Sequence, residues 1–178
     1  MTGVALRELY DRKARTLRRR PALGATSAGV TARLLDELAC EVRCGTTTLV
    51  SALDVTERGG GNAAPTPGDL MRAALGACLA MGYRIWAARL DVDFDTVEVD
   101  VTCDFDQRGQ LGLADDIPAG WQRISLEVRI VTDAPIGEVR RVVEQADRLN
   151  PMLANLSSAI ARIHTLTVHP KTQPFVRL

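Results

Sequence analysis

The stretch TPGDLMRAALGACLAMGY, residues 66–83, decides the fold. Its first residue, Thr66, is a favoured N-cap, Pro67 fits the first position of a helix, and Asp69 follows Thr66 by three residues. This pattern is a capping box whose acid is shortened to Asp, and it marks the start of a helix. The apolar composition that follows predicts that the helix continues to about residue 89.

The middle of this helix, residues 73–83, is apolar on every side and rich in Ala and Gly. A helix without a polar face has to be buried on all sides. In a domain of this size, a sheet on one side and a second subunit on the other would bury it. We therefore expect this helix at the centre of the fold and in the interface of a homodimer.

The segments on either side of the helix alternate between apolar and polar residues, which is typical of half-buried strands. Gly45 to Thr47 is a plausible turn between two of them. Strands, a buried helix, strands and then further helices in this order indicate an α+β fold with a largely antiparallel sheet. The predicted strands are 30–34, 38–44, 48–55, 96–105, 121–132, 163–168 and 175–178.

Side-chain alternation also predicts which residues of these strands face inward. The residues expected on the inner faces are Leu38, Cys40, Val42, Cys44, Val97, Val99, Val101, Cys103, Phe105, Ile124, Leu126, Val128 and Ile130.

Two helices are predicted near the end of the chain. Asp133 is the expected cap of a helix over residues 135–149. Asn150 and Pro151 break that helix and start a shorter one that runs to about residue 160.

The first 20 residues are basic, with seven Lys or Arg against two acids. We divide the chain into a basic N-terminal helix or arm, residues 1–25, and one domain, residues 26–178. A solvated helix is the favoured interpretation of the arm. The alternative is an arm that binds a protein or an acidic surface.

Composition excludes several classes of function. The net charge is zero and the pI is near 6.7, so we expect no nucleic-acid partner. No segment reaches the roughly 18 apolar residues that span a bilayer, and no signal peptide is apparent, so we expect a cytoplasmic protein without a membrane partner. The four cysteines form no CxxC pair or Cys/His cluster, so we expect no metal site.

Cys78 lies in the middle of the apolar helix. Its simplest interpretation is a core cysteine, which packs as a small hydrophobe. A reactive cysteine needs a cation nearby and some opening to solvent. Composition alone does not separate the two.

The segment TPGDLMRAALGACLAM resembles the signature of the OsmC/Ohr family of thiol-dependent hydroperoxide reductases. In that family a proline, an acid and a run of small apolar residues lead to the reactive cysteine. The Gly-rich stretch 58–67 and the order of the later strands and helices also match. The resemblance covers roughly residues 38–169 and leaves residues 1–25 outside.

The resemblance implies an OsmC-like fold, in which antiparallel sheets wrap around long central helices of an intertwined homodimer. It implies that Cys78 attacks the terminal oxygen of an organic hydroperoxide and becomes a sulfenic acid. A second cysteine of the family then forms a disulfide that a thiol reductant reopens. No bound cofactor is implied, only an external thiol.

The stretch ADRLNPMLANL, residues 146–156, matches the place of the second cysteine, and Asn150 holds that position. An asparagine is a good N-cap but cannot form a disulfide. The usual two-cysteine cycle is therefore not available, and Cys78 would need an external thiol.

An acid and an arginine complete the family's site. Gly68 replaces the glutamate of one branch, and Asp69 matches the acid of others, so Asp69 is a helix cap, an arginine partner or both. The arginine should come from the N-terminal strands, where Arg43 and Arg58 are the candidates, with Arg43 slightly favoured. Arg72 is interpreted as a solvated or interface charge.

The remaining thiols and histidines are expected to be structural. Cys40, Cys44 and Cys103 are interpreted as core residues, and Cys40 is too far along its strand from Cys44 for a disulfide between them. His164 is expected at a strand start with a structural role, although a pairing with Cys78 remains open.

Two functions remain open. The first is a single-cysteine organic hydroperoxide reductase in oxidative-stress defence, with Cys78, Arg43 and Asp69 as catalytic candidates. The second is a family dimer without peroxidase activity that binds a small apolar ligand in the cleft between subunits.

Overall fold

The central element of the computed structural model, which describes residues 2–35, 38–53 and 64–157, is helix α2, Pro67–Leu90. Thr66 Oγ1 accepts a hydrogen bond from the backbone N–H of Asp69, and the Asp69 carboxylate accepts one from the backbone N–H of Thr66. The predicted capping box and the predicted length of the helix are therefore confirmed. The helix ends at Asp91, which has a left-handed backbone with φ 64°.

One face of α2 forms the core of the chain. It packs mainly against the strand Thr96–Asp104 and the helix Ile136–Arg148. Its side chains Leu75, Leu79 and Tyr83 are almost fully buried. Gly76 sits close to the strand, because a Cβ atom at this position would lie 3.3 Å from Val101 Cγ2. The buried cluster consists of Leu75, Leu79, Tyr83, Ala87, Val92, Phe94, Val142 and Ala146.

The opposite face of α2 is not covered by the described residues. Met81 is 60% exposed and Met71 is 44% exposed, and Ala73, Ala74 and Ala77 are exposed beside them. The described residues of one chain therefore bury only one side of the helix, and the second subunit expected on the other side stays a prediction. The described part of the chain packs against one side of the helix and leaves these five residues, which we call the methionine face, exposed.

Two strands after α2 form a hairpin. Strand β4, Thr96–Asp104, pairs antiparallel with β5, Arg123–Val131, and Val101 lies opposite Leu126. Their inner residues lie toward the core as predicted, except that Leu126 is 38% exposed. Phe105 was predicted to continue the inner face, but the strand ends one residue earlier and this side chain is exposed.

The connection between β4 and β5 was predicted as a loop over residues 106–120. It contains a single helical turn, α3, Gln107–Gln110. The side chain of Asp106 accepts a hydrogen bond from the backbone N–H of Arg108 and so caps the start of this turn. The rest of the connection carries no further helix or strand.

The N-terminal strands form a separate antiparallel sheet in the order β1, Thr31–Leu34, β2, Ala39–Cys44, and β3, Thr47–Ala52. Thr47 pairs with Cys44, so the predicted turn is one residue shorter and holds only Gly45 and Thr46. Gly45 has φ +60°, which a two-residue hairpin turn with Gly in first place requires. Strand pairing does not join this sheet to β4 and β5 in the part of the chain that the structure describes.

Helix α1, Gly3–Arg19, confirms the helix predicted for the start of the chain. It packs against α2, with Leu6, Tyr10 and Leu17 half-buried on one side. Arg7 forms a salt bridge of 2.5 Å with Asp91 at the end of α2. A short 3₁₀ turn, Pro21–Gly24, follows. The proposed boundary between residues 25 and 26 stays a prediction.

Helix α4, Ile136–Arg148, confirms the next predicted helix, but Asp133 does not cap it. The helix begins three residues after Asp133, so its N-cap position is Pro135. The proline side chain has no hydrogen-bond acceptor, and the helix has no side-chain cap. Helix α5, Pro151–Ser157, follows at once, and Asn150 caps it as expected. The predicted strands 163–168 and 175–178 lie outside the described residues.

These elements establish the predicted α+β class with antiparallel sheets. Among the described residues, no helix is long and apolar enough to cross a membrane.

Candidate functional site

Cys78 lies in the middle of α2, at the edge of the buried face, and its side chain is half-buried. Its Sγ lies 3.7 Å from the side-chain oxygen Oδ1 of Asn150 and donates a hydrogen bond to it. The two residues are 72 positions apart in the chain, so α2 and the start of α5 meet at this thiol.

Two backbone hydrogen bonds hold the side chain of Asn150 in place. Its Oδ1 accepts the backbone N–H groups of Met152 at 2.9 Å and Leu153 at 3.0 Å, which are the free donors of the first turn of α5. The residue is 4% exposed. The predicted N-cap role of Asn150 is therefore confirmed, and the same oxygen also faces Cys78.

A second hydrogen bond fixes the end of α4 against α2. Tyr83, which is buried, donates its hydroxyl to Asp147 Oδ1 at 2.8 Å. Burial raises the pKa of Tyr83 above its ordinary value, and the hydrogen bond to the Asp147 carboxylate raises it further. Tyr83 therefore stays a neutral donor, and the corner that carries Asn150 keeps its position near Cys78.

Asp69 has two roles in the structure. Its carboxylate closes the capping box with Thr66, and its Oδ1 pairs with Arg72 Nη2 at 2.5 Å. The Thr66 hydroxyl, the Thr66 backbone N–H and Arg72 together hold the pKa of Asp69 below its usual value. Asp69 is thus a cap with an arginine partner, and that partner is Arg72, three residues further along the helix, instead of an arginine of the N-terminal strands.

The carboxylate of Asp69 makes the stability of the protein depend on pH. A lowered pKa means that the charged form stabilises the folded state above about pH 4, and that this contribution is lost as the pH falls through the lowered pKa. We expect Asp69→Asn to be less stable than the wild type at pH 7, with the difference shrinking below about pH 4. Urea denaturation of both proteins from pH 7 to pH 3 measures this, and a difference that stays constant over that range would contradict the assignment.

Arg43 lies on β2, opposite Thr48 in β3 and Thr31 in β1. Its Nε is 3.7 Å from Glu41 Oε1 on the same strand. Within residues 2–35, 38–53 and 64–157, no hydrogen bond or salt bridge joins Arg43 to Cys78 or Asp69. The structure therefore does not bring the three predicted site residues together in one chain. Arg58, the other candidate, lies outside the described residues.

The other cysteines are free thiols, and Cys40 and Cys44 do not pair with each other, as predicted. Cys40 and Cys103 are half-buried, but Cys44 is exposed, so its prediction as a core residue is wrong for the single chain. Burial raises the pKa of Cys103, the charge of Arg72 partly opposes this, and Asp104 adds to it. His164 lies outside the described residues.

An open cavity of about 510 Å³ lies between β5 and helices α4 and α5. Its lining mixes apolar and polar residues and includes Asn150, so that the residue facing the Cys78 thiol also faces the cavity. The described part of the chain holds no group of three or more His, Cys, Asp or Glu that could bind a metal ion. The lining residues are Ile124, Leu126, Asp147, Arg148, Asn150, Leu153, Ala154, Leu156 and Ser157.

Comparison with known families gives one match. A model of the family described as OsmC-like protein matches residues 59–164, which is more than half of the chain. The match contains α2, β4, β5, α4 and α5, and therefore both Cys78 and Asn150. No curated protein matches the chain in sequence.

Several solved structures are similar in fold. An OsmC-like protein from Mycoplasma pneumoniae has a TM-score of 0.64 and 14% identity, over 74% of this chain and 87% of that one. An OsmC-like protein of unknown function from Vibrio cholerae has a TM-score of 0.63 and 8% identity, over 75% and 96%. The organic hydroperoxide resistance protein OhrB of Bacillus subtilis has a TM-score of 0.51 and 18% identity, over 74% and 91%. At these identities the likeness concerns the fold.

Proposed function

The chain belongs to the OsmC-like protein family, and from this premise we propose that it reduces organic hydroperoxides with Cys78 as the nucleophile and an external thiol as the reductant. The observation that carries the proposal is the placement of Cys78. It lies on the helix that the family model matches, and its side chain is half-buried and not fully enclosed. The similar fold of a hydroperoxide resistance protein supports the same chemistry.

The reaction follows from the chemistry of a thiolate. The Cys78 sulfur attacks the terminal oxygen of the hydroperoxide, an S–O bond forms, the O–O bond breaks, and the alkoxide takes a proton and leaves as an alcohol. A cation near the departing oxygen would stabilise its developing charge. The product at Cys78 is a sulfenic acid, which an external thiol reduces.

The activating cation in this proposal comes from a second subunit. The main contacts of α2 are with β4, α4, α1 and α5, and the sheet that carries Arg43 is a separate layer. The methionine face is the open side of the helix that holds Cys78. We propose that a second copy covers this face and brings its own Arg43 or Arg58 toward Cys78.

The proposed homodimer interface can be tested by substitution of Met81. We expect Met81→Glu to shift the protein from dimer to monomer, because the interface would have to bury a carboxylate without a partner. Met81→Leu, which keeps the volume and the apolar character, is the control and should remain dimeric. Analytical ultracentrifugation measures both, and a dimer of unchanged stability for Met81→Glu would place the interface elsewhere.

The activity itself is tested with cumene hydroperoxide and a small thiol. We expect more than one turnover to cumyl alcohol per protein when the thiol is present, and at most one turnover when it is absent. Chromatography measures the amount of cumyl alcohol and thereby the number of turnovers per protein. No alcohol above the level of the thiol alone would refute the proposal.

A second function, binding of a small apolar ligand without peroxidase activity, has two observations in its favour. Within the described ranges, no arginine forms a hydrogen bond with Cys78, and about half of the residues that line the cavity beside Asn150 are apolar. In that case Cys78→Ser should leave ligand affinity unchanged. A loss of binding in this variant would count against a function that does not use the thiol.

A further inference from the structure

The side chain of Asn150 accepts a hydrogen bond from Cys78 but cannot form a covalent bond with it. The oxygen Oδ1 is fixed 3.7 Å from the Cys78 sulfur by the two backbone N–H groups that it caps. Turning the amide away would free those donors at the start of α5, which is unfavourable. The acceptor therefore stays aimed at the sulfur.

A carbonyl oxygen only accepts hydrogen bonds, and this selects among the states of Cys78. The reduced thiol donates its S–H to Oδ1, as the structure shows. A thiolate has no hydrogen to donate. A sulfenic acid carries an O–H group and is a donor again, so the oxidised state regains a partner at the same position.

The other thiols offer no route to an internal disulfide in the described part of the chain. Cys103 lies on β4, and Cys40 and Cys44 lie on the separate N-terminal sheet, all as free thiols. Asn150 also lines the cavity of about 510 Å³, whereas Cys78 is not among the described residues that line it. Reduction of oxidised Cys78 therefore needs a thiol from outside the described part of the chain.

We infer that Asn150 is a positioning residue that holds oxidised Cys78 as a hydrogen-bonded sulfenic acid until an external thiol reduces it. The inference rests on the proposed reductase function. One thiol attacks the Cys78 sulfur, the S–O bond breaks, and the oxygen leaves as water. A second thiol then attacks the mixed disulfide, which releases the Cys78 thiol and a disulfide of two reductant molecules.

The test compares Asn150→Ser with the wild type. Serine caps a helix about as well as asparagine, so thermal stability should hardly change, while the acceptor no longer reaches the sulfur. After one equivalent of cumene hydroperoxide without thiol, dimedone added at increasing delays counts the sulfenic acid that survives. We expect its lifetime to fall about fivefold in Asn150→Ser and sulfinic acid to accumulate faster.

A second variant tests the geometry independently. Asn150→Cys should form a disulfide with Cys78 after the same treatment, seen as the loss of both thiols in peptide mass spectrometry. The wild type and Cys103→Ser serve as references for the number of thiols.

The outcomes separate the two claims. If wild-type Cys78 gives no dimedone adduct at any delay, the proposed function fails and this inference fails with it. If the adduct forms but its lifetime is the same in Asn150→Ser, the inference is overturned and the reductase function stands. Absence of a disulfide in oxidised Asn150→Cys would also overturn the inference, because the two side chains would then not meet.

Discussion

Cys78→Ser is expected to lower the rate of hydroperoxide reduction on the order of 100-fold or more, down to the rate of the external thiol alone. A serine hydroxyl has nearly the shape of the thiol, but it is not ionised near neutral pH and does not form a sulfenic acid. Its hydroxyl can still donate to Asn150, so the fold should be retained. The measurement is the rate of peroxide loss at fixed thiol concentration.

Cys103→Ser is the matched control for this variant. Cys103 is also half-buried, but burial raises the pKa of its thiol, which makes it a poor nucleophile. We expect this variant to keep most of the activity. Equal losses in the two variants would mean that the assay reports stability, and a loss only in Cys103→Ser would move the reactive centre to β4.

Leu79→Ala is expected to lower the free energy of unfolding by about 2–5 kcal/mol. Leu79 has no exposed surface and lies in the cluster that α2 forms with β4 and α4. Removing three side-chain carbons there loses their burial and leaves a cavity that a rigid helix does not close. Urea denaturation followed by circular dichroism gives the difference, at one fixed protein concentration because a dimer would couple stability to concentration.

Leu113→Ala is the control, since Leu113 is 70% exposed in the connection between β4 and β5. We expect its effect to stay within about 0.5 kcal/mol. A loss in Leu79→Ala as small as this would contradict the placement of Leu79 at the centre of the core.

The central helix could be predicted closely because its signals are local. Thr66, Pro67 and Asp69 form a cap within four residues, and the cap sets the start of α2 without reference to the rest of the fold. The alternation of β4 and β5 is equally local, and the structure confirms both strands to within two residues.

The partners of polar side chains were harder to predict, because they depend on tertiary geometry. Asp133 has the chemistry of a cap but stands too far before α4 to act as one. Asp69 was matched to an arginine from the N-terminal strands, whereas Arg72, one turn along the same helix, is its partner in the chain. The spacing of three residues is a signal that the sequence did contain.

The same contrast between local signals and tertiary geometry separates the two residues predicted beside Cys78, Asn150 and Arg43. Asn150 could be placed beside Cys78 by matching the motif around Pro151, and the observed contact agrees with that match. Arg43 could not be placed, since among the described residues no strand pairing joins its sheet to β4 and β5, which pack against the helix of Cys78. If Arg43 acts across subunits, as proposed, the periodicity and spacing of one chain carry no signal for it.

The most direct test of the proposed reductase is the chemical state of Cys78 after exposure to one equivalent of cumene hydroperoxide. Dimedone trapping followed by peptide mass spectrometry locates the oxidised residue. The proposal predicts a dimedone adduct on Cys78, with Cys40, Cys44 and Cys103 unmodified and the hydroperoxide converted to its alcohol. An unmodified Cys78 together with unchanged hydroperoxide would contradict it.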